Sequence, residues 1–156
     1  MKKRFWLIGI FTALVLVAEA EEQPRKNLAL SCAVFCNDGE NPEYAVDGIR
    51  GGKFYGGRCS PKNYLEVDLG KISAVDGVRV FFWYGDSRFY QYYIAGSIDG
   101  KIWFELMDRR NNTKVSSAEG DGQDFPCRQM RFVRIHTLYN SMNAATHIRE
   151  IEIYGR

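Results

Sequence analysis

The chain has 156 residues, enough for one ordinary domain with its own core. Its 21 basic and 19 acidic residues leave a net charge of only +2, which argues against the strong basic field that nucleic acid or an anionic membrane selects. Nine Tyr, ten Phe and three Trp suit strands joined by aromatic-rich loops.

In chain order, Met1 to Ala20 has a basic start (Lys2, Lys3, Arg4), an apolar run from Phe5 to Val17, and a small-x-small end at Ala18-Glu19-Ala20. This reads as a signal peptide over 1–20, followed by a mature domain over 21–156. The alternative, a retained anchor, would need an apolar run of about 20 residues. Without Lys2, Lys3, Arg4 and Glu19 the mature chain carries 18 basic and 18 acidic residues. The expected destination is secreted or periplasmic, with no stable membrane insertion.

Beyond the leader, short runs alternate with period two. Tyr64-Leu65-Glu66-Val67-Asp68-Leu69 sets Leu65, Val67 and Leu69 on one face and stops at Gly70. Val78 to Phe82, Tyr92 to Ser97, Arg131 to Ile135 and Ile148 to Tyr154 read the same way. Asp99-Gly100 predicts a tight type I′ hairpin between Ile94–Ile98 and Ile102–Phe104. Residues 37–63 and 108–126 are rich in Gly, Asn, Asp, Ser and Lys and predict loops. Many strands and no amphipathic helix predict an all-β antiparallel sandwich. The four cysteines, Cys32, Cys36, Cys59 and Cys127, all follow the leader, and an even number in an exported chain reads as two disulfides. Their spacing lacks the paired short intervals of a zinc site.

Six segments occur in an order and spacing that resemble the coagulation factor 5/8 type C (discoidin) domain. They are Asn27-Leu28-Ala29-Leu30, Tyr44-Ala45-Val46-Asp47-Gly48, Leu65 to Gly70, Tyr93 to Trp103, Arg131 to Ile135 and Ile148 to Gly155. In look the chain is similar to family 32 carbohydrate-binding modules, which implies an antiparallel jelly-roll β-sandwich of the galactose-binding type. Each segment also has a plain structural job, Trp103 filling core volume among them. The resemblance further implies a structural Ca2+ held by Asp47 and Glu150, although Ile49-Arg50-Gly51-Gly52 departs from the usual oxygen-rich loop. The alternative for Asp47 is a turn cap. The resemblance implies disulfides Cys36–Cys59 and Cys32–Cys127.

The same resemblance places a sugar at one loop end, against an aromatic face and side chains that bond hydroxyls. The matching residues are Tyr55, Arg58, Trp83, Tyr84, Arg88, Tyr139, Asn140 and Asn143. Arg88 offers planar bidentate donation, its alternative being a salt bridge to Asp86. For the aromatics the alternative is loop packing. His136 and His147 lack companion ligands or nucleophiles and read as structural. Asn111-Asn112-Thr113 is a glycosylation sequon in a eukaryotic secretory context. With no nucleophile elbow, metal motif or acid/base pair, the expected function is an exported, non-catalytic module that binds a galactose-type glycan or glycoconjugate. The competing reading is adhesion to, or regulation through, a cell-surface protein or phospholipid.

Overall fold

The computed structural model describes residues 24–156; the expected signal peptide lies outside the described residues. Eight strands carry the fold: β1 (Lys26–Asn27), β2 (Ala33–Cys36), β3 (Tyr55–Arg58), β4 (Leu65–Phe82), β5 (Tyr90–Ser97), β6 (Phe104–Arg109), β7 (Asp121–Asn140) and β8 (Ala145–Gly155). One 3-10 turn, Pro42–Val46, packs over β8. No helix among the described residues is long and apolar enough to cross a membrane.

Two layers arise because β4 and β7 are long enough to serve both sheets. The first half of β4 pairs with β2 and with the second half of β7, which pairs on with β5 and then β6. The second half of β4 lies between the first half of β7 and β8, whose far edge takes β1 and β3. All pairings are antiparallel, and the architecture is the expected jelly-roll sandwich of the galactose-binding type. Period-two alternation turns Leu65, Val67, Val133, Ile135, Tyr92 and Ile94 inward from one sheet. Val78, Val80, Phe82, Ile148, Ile151 and Ile153 meet them from the other. Burying each such aliphatic side chain contributes about 1.5–3 kcal/mol.

Several local expectations change. The strand expected to stop at Gly70 continues: Gly70 has φ +75°, which lets β4 bend there, and the ladder to β7 resumes at Ser73. The Asp99-Gly100 hairpin is a wider loop, since only Gly100 has positive φ and β6 starts at Phe104. Asp99 shapes it by accepting from Lys101 N at 2.9 Å and Ile102 N at 3.0 Å. Trp103 is half-buried outside the core; its indole donates to Gly100 O at 3.2 Å and the Arg134 guanidinium lies 4.1 Å above its ring. Residues 121–126 begin β7, and residues 55–58 form β3, because cross-strand partners rather than their own composition make them extended.

All four cysteines are free thiols, so neither implied disulfide is present. Cys32 precedes β2 in one sheet and donates to Leu28 O at 3.0 Å, whereas Cys127 is exposed on the first half of β7 in the other. Burial raises the pKa of the Tyr55 hydroxyl, and Cys36, Asp38 and Cys59 beside it add to the rise. Burial pushes Cys59 up to about 11, so it stays protonated.

Asp47 and Glu150 do meet at one seam, but the donors there do not fit a calcium cage, which takes six to eight oxygens. Asp47 Oδ1 accepts from Ile49 N at 2.8 Å, the turn-cap alternative. Both oxygens of fully buried Glu150 face Gly48 N, at 3.1 and 3.2 Å. Burial, reinforced by the Asp47 and Glu152 carboxylates, pushes Glu150 up to about 7. Among the described residues no three acidic, His or Cys side chains gather as a metal set. The cation at the seam is Arg50: its Nη2 lies 2.6 Å from Glu152, and its guanidinium covers the Phe81 ring at 4.6 Å.

Two outcomes follow for stability. Ile135→Ala should cost about 2–5 kcal/mol in a denaturant titration, whereas Tyr139→Ala, four residues on and 47% exposed, should change it by no more than about 0.5 kcal/mol. Arg50→Ala should cost about 1–2 kcal/mol, while neither chelator nor added calcium moves the thermal midpoint of the unaltered protein. A calcium-dependent rise in that midpoint would show that the seam does hold the ion.

Candidate functional site

The connections β2–β3 (37–54), β3–β4 (59–64), β4–β5 (83–89) and β7–β8 (141–144) gather at one end of the sandwich. Backbone bonds hold them together: Ser141 N donates to Phe89 O at 3.1 Å, Cys59 N to Ala144 O at 2.8 Å and Trp83 N to His147 O at 2.8 Å. The end is therefore a set of splinted loops rather than free tips.

The anticipated binding residues do not converge on one pocket. Arg88 is committed to the protein, as its salt-bridge alternative required. Its Nε lies 2.9 Å and its Nη2 2.8 Å from the two Asp86 oxygens, the guanidinium stacks 4.2 Å over Trp83, and the side chain is 13% exposed. Tyr55 is buried and donates its hydroxyl to Asp38 O. Asn140 is also buried, tied to Asn143 Oδ1 at 2.9 Å and Ala145 O at 2.7 Å, so both asparagines shape the β7–β8 turn. Tyr139 is exposed and lines a shallow hollow with Met142 and Asn143.

Arg58 opens onto a different cleft, lined by Asp38, Glu40, Phe54, Gly56, Thr146 and His147. Strand register builds it: Gly56 sits opposite His147, so β3 offers no side chain where β8 offers an imidazole, while the neighbouring Thr146 turns inward and donates to Thr137 Oγ1 at 2.9 Å. Gly57 cannot be larger, since a Cβ there would lie 2.5 Å from the Tyr55 hydroxyl. Phe54, 38% exposed, meets the His147 ring edge-on at 5.1 Å. Arg58 is 80% exposed and held by Asp38 at 2.7 Å.

His147 was expected to be structural, and half of it is. Its Nδ1 lies 3.0 Å from the Tyr90 hydroxyl and 3.4 Å from Arg88 Nη1. A guanidinium can only donate, so Nδ1 accepts and the proton sits on Nε2. Burial first, then the Arg88 charge, lowers its pKa, which keeps this neutral tautomer. Phe54 and His147 together are the feature that sequence reading missed, because only the β3–β8 register brings them side by side.

Trp83 and Tyr84 lie beside this cleft without lining it. Trp83 is flanked by Arg88 at 4.2 Å and Arg149 at 5.8 Å, and Tyr84 carries Arg149 at 4.6 Å. The assembled end offers an apolar ring edge, an exposed guanidinium, two carboxylates and an imidazole. Such groups can make apolar C–H contact and oriented hydrogen bonds.

Comparison with known proteins bears on the fold. CBM32 of AlyQ in complex with 4,5-unsaturated mannuronic acid superposes with a TM-score of 0.67 at 24% identity, over 78% of this chain and 92% of that one. Chitosan-binding module 1 from a chitosanase/glucanase of Paenibacillus sp. IK-5 gives 0.70 at 20% identity, over 83% and 99%. These two show the fold. By sequence, 88 residues, 56% of this chain, are 31% identical to BTB/POZ domain-containing protein 9 of Bos taurus, of which they make up 14%. The F5/8 type C domain profile matches residues 29–151, and with that coverage the chain belongs to the F5/8 type C domain family.

Proposed function

We propose that this chain is an exported, non-catalytic glycan-binding domain that grips a galactose-type sugar in the cleft between Phe54, His147 and Arg58. The observation that carries the reading is the pairing of an exposed aromatic edge with an imidazole whose tautomer is set from behind. A pyranose presents weakly polar C–H faces and a fixed array of hydroxyls. Phe54 meets the former, while His147 Nε2–H, the Arg58 guanidinium and the Asp38 and Glu40 oxygens meet the latter. A buried donor left unpaired by the wrong epimer costs about 1–3 kcal/mol, which is the source of selectivity. Two structural relatives named as carbohydrate-binding or chitosan-binding modules, each matched over nearly its whole length, support the class. Export rests on the leader pattern of Met1 to Ala20.

Adhesion to a protein or phospholipid is the second reading, and exposed Tyr139 and Met142 at the same end favour it. It lacks the excess of basic residues that an anionic membrane rewards.

A glycan array followed by calorimetry separates the two. Phe54→Ala and His147→Ala should each weaken sugar binding at least about tenfold, about 1.4 kcal/mol, and Tyr139→Ala should not. Because the folded pKa of His147 lies below the ordinary value of about 6.5, affinity should hold steady above that pH and decline only as the pH falls through the lowered value. Silence across the array together with liposome or protein capture would remove the sugar reading.

A further inference from the structure

We infer that Arg149 is the carboxylate-binding residue of this loop end, and that the ligand is an acidic oligosaccharide carrying a uronate. The inference rests on the glycan-binding reading above and names its ligand class.

Three observations converge on Arg149. The first is its backbone. In the β4–β8 ladder Phe82 pairs with Ile148 and Phe81 with Glu150, so Arg149 is the extra residue of a bulge with no partner opposite. A bulge costs a ladder position and re-aims a side chain, and bulges concentrate beside functional sites. Here the side chain is sent to the aromatic pair Trp83 and Tyr84, on the connection that flanks the cleft.

The second is charge. The neighbouring cations are already matched, Arg88 by Asp86 at 2.8 Å and Arg58 by Asp38 at 2.7 Å. Among the described residues Arg149 has no carboxylate and no hydrogen-bond partner, and its Nε is buried without an acceptor. Desolvating a guanidinium without a counter-charge is unfavourable. Stacking on Tyr84 at 4.6 Å offsets part of that and holds the fork flat, leaving its donors for an oxygen ligand supplied from outside. A carboxylate matches a planar fork with two parallel bonds.

The third is the polarity of the surface. Glu40 and Phe54 line the cleft on the β3 edge of β8, whereas Arg149 lies against Trp83 and Tyr84, which follow β4 on the other edge of that strand. An acidic sugar is repelled at the first and attracted at the second, which orients the chain: one ring over Phe54 and His147, and the uronate next to it against Arg149. Galacturonate keeps the galactose ring and replaces its hydroxymethyl group with a carboxylate, so the two selections are compatible.

The test compares a galacturonate trisaccharide with its fully methyl-esterified form, identical in ring stereochemistry and lacking the charge, by calorimetry on the whole protein. The free acid should bind at least about tenfold more tightly than the ester, about 1.4 kcal/mol, and the difference should shrink as salt is raised. Arg149→Gln should bring the ratio close to one. Arg149→Lys, which keeps the charge without the fork, should retain part of the preference and guards against a glutamine variant that fails to fold. Arg128→Gln serves as the control: Arg128 also lacks a carboxylate, stacks on Phe104 at 4.0 Å and pairs with Val75 in the middle of β4, away from the connections 59–64 and 83–89 that build the cleft end. It should leave the ratio unchanged. Equal affinity for acid and ester, or a ratio that survives Arg149→Gln, overturns the inference. If neutral galactosides bind and the acid gains nothing, the glycan reading stands and the role of Arg149 falls. If no glycan of either kind binds, both fall together.

Discussion

The corner at which β4 and β7 leave one sheet and enter the other is the constraint from which the rest of the molecule follows. Arg131 Nε and Nη2 reach the two oxygens of Asp68 at 2.7 and 2.8 Å, and Asp68 Oδ1 also accepts from Gly70 N at 2.8 Å. One carboxylate thus fixes the bend in β4 and ties it to β7 as that strand turns too. The arginine holds the Asp68 carboxyl below the usual carboxylate range, so it stays ionised and the clamp remains in place through neutral pH. With two strands shared, the sheets cannot slide past one another, and the connections at the end of the sandwich inherit a fixed spacing.

That spacing explains why the binding surface is built from splinted loops. Arginine does most of the splinting: Arg88 between Asp86 and Trp83, Arg58 against Asp38, Arg134 between Glu66 and the Tyr64 and Trp103 rings. A guanidinium lying flat on an aromatic while its edge meets a carboxylate satisfies both its faces and its donors. Arg149 has the flat contact without the carboxylate, which sets it apart chemically from its neighbours. His147 shows the same logic from the acceptor side, because Tyr90 and Arg88 take Nδ1 and leave Nε2–H as the donor. Pre-organised polar groups of this kind raise affinity by lowering the ordering cost of binding.

Stability rests on the core and, at the seam between the two ends of the domain, on a protein cation. No two of the four thiols are joined, so the two layers are held by apolar packing between Val67, Val133, Ile94 and their counterparts Val80, Ile151 and Ile153. Where a divalent cation was expected to join the two ends of the domain, Arg50 reaches Glu152 and shelters Phe81. A guanidinium provides one charge and directed bonds where calcium would demand a shell of oxygens.

Period two in Leu65 to Leu69, Arg131 to Ile135 and Ile148 to Tyr154 is a local property of side-chain chemistry, and it determined the fold class and most of the inward-facing residues from sequence alone. So did the ordered set of short motifs that placed the chain in its family. Strand extent was legible only in part, since residues 70–77 and 121–130 are extended by partners distant in the chain. The candidate site was legible as a region and not as a set of residues. Arg88 carries the right chemistry for a ligand, but Asp86 two positions away claims it; Phe54 and Arg149 carry no distinguishing local pattern. What selects them is which backbone they face: glycines opposite His147, a bulge at Arg149, a carboxylate absent from one guanidinium and present beside the others. Those are facts of register and pairing across 50 to 100 residues of chain, and only tertiary structure decides them, because a side chain's partner is chosen by the strand it lies against and not by its neighbours in sequence.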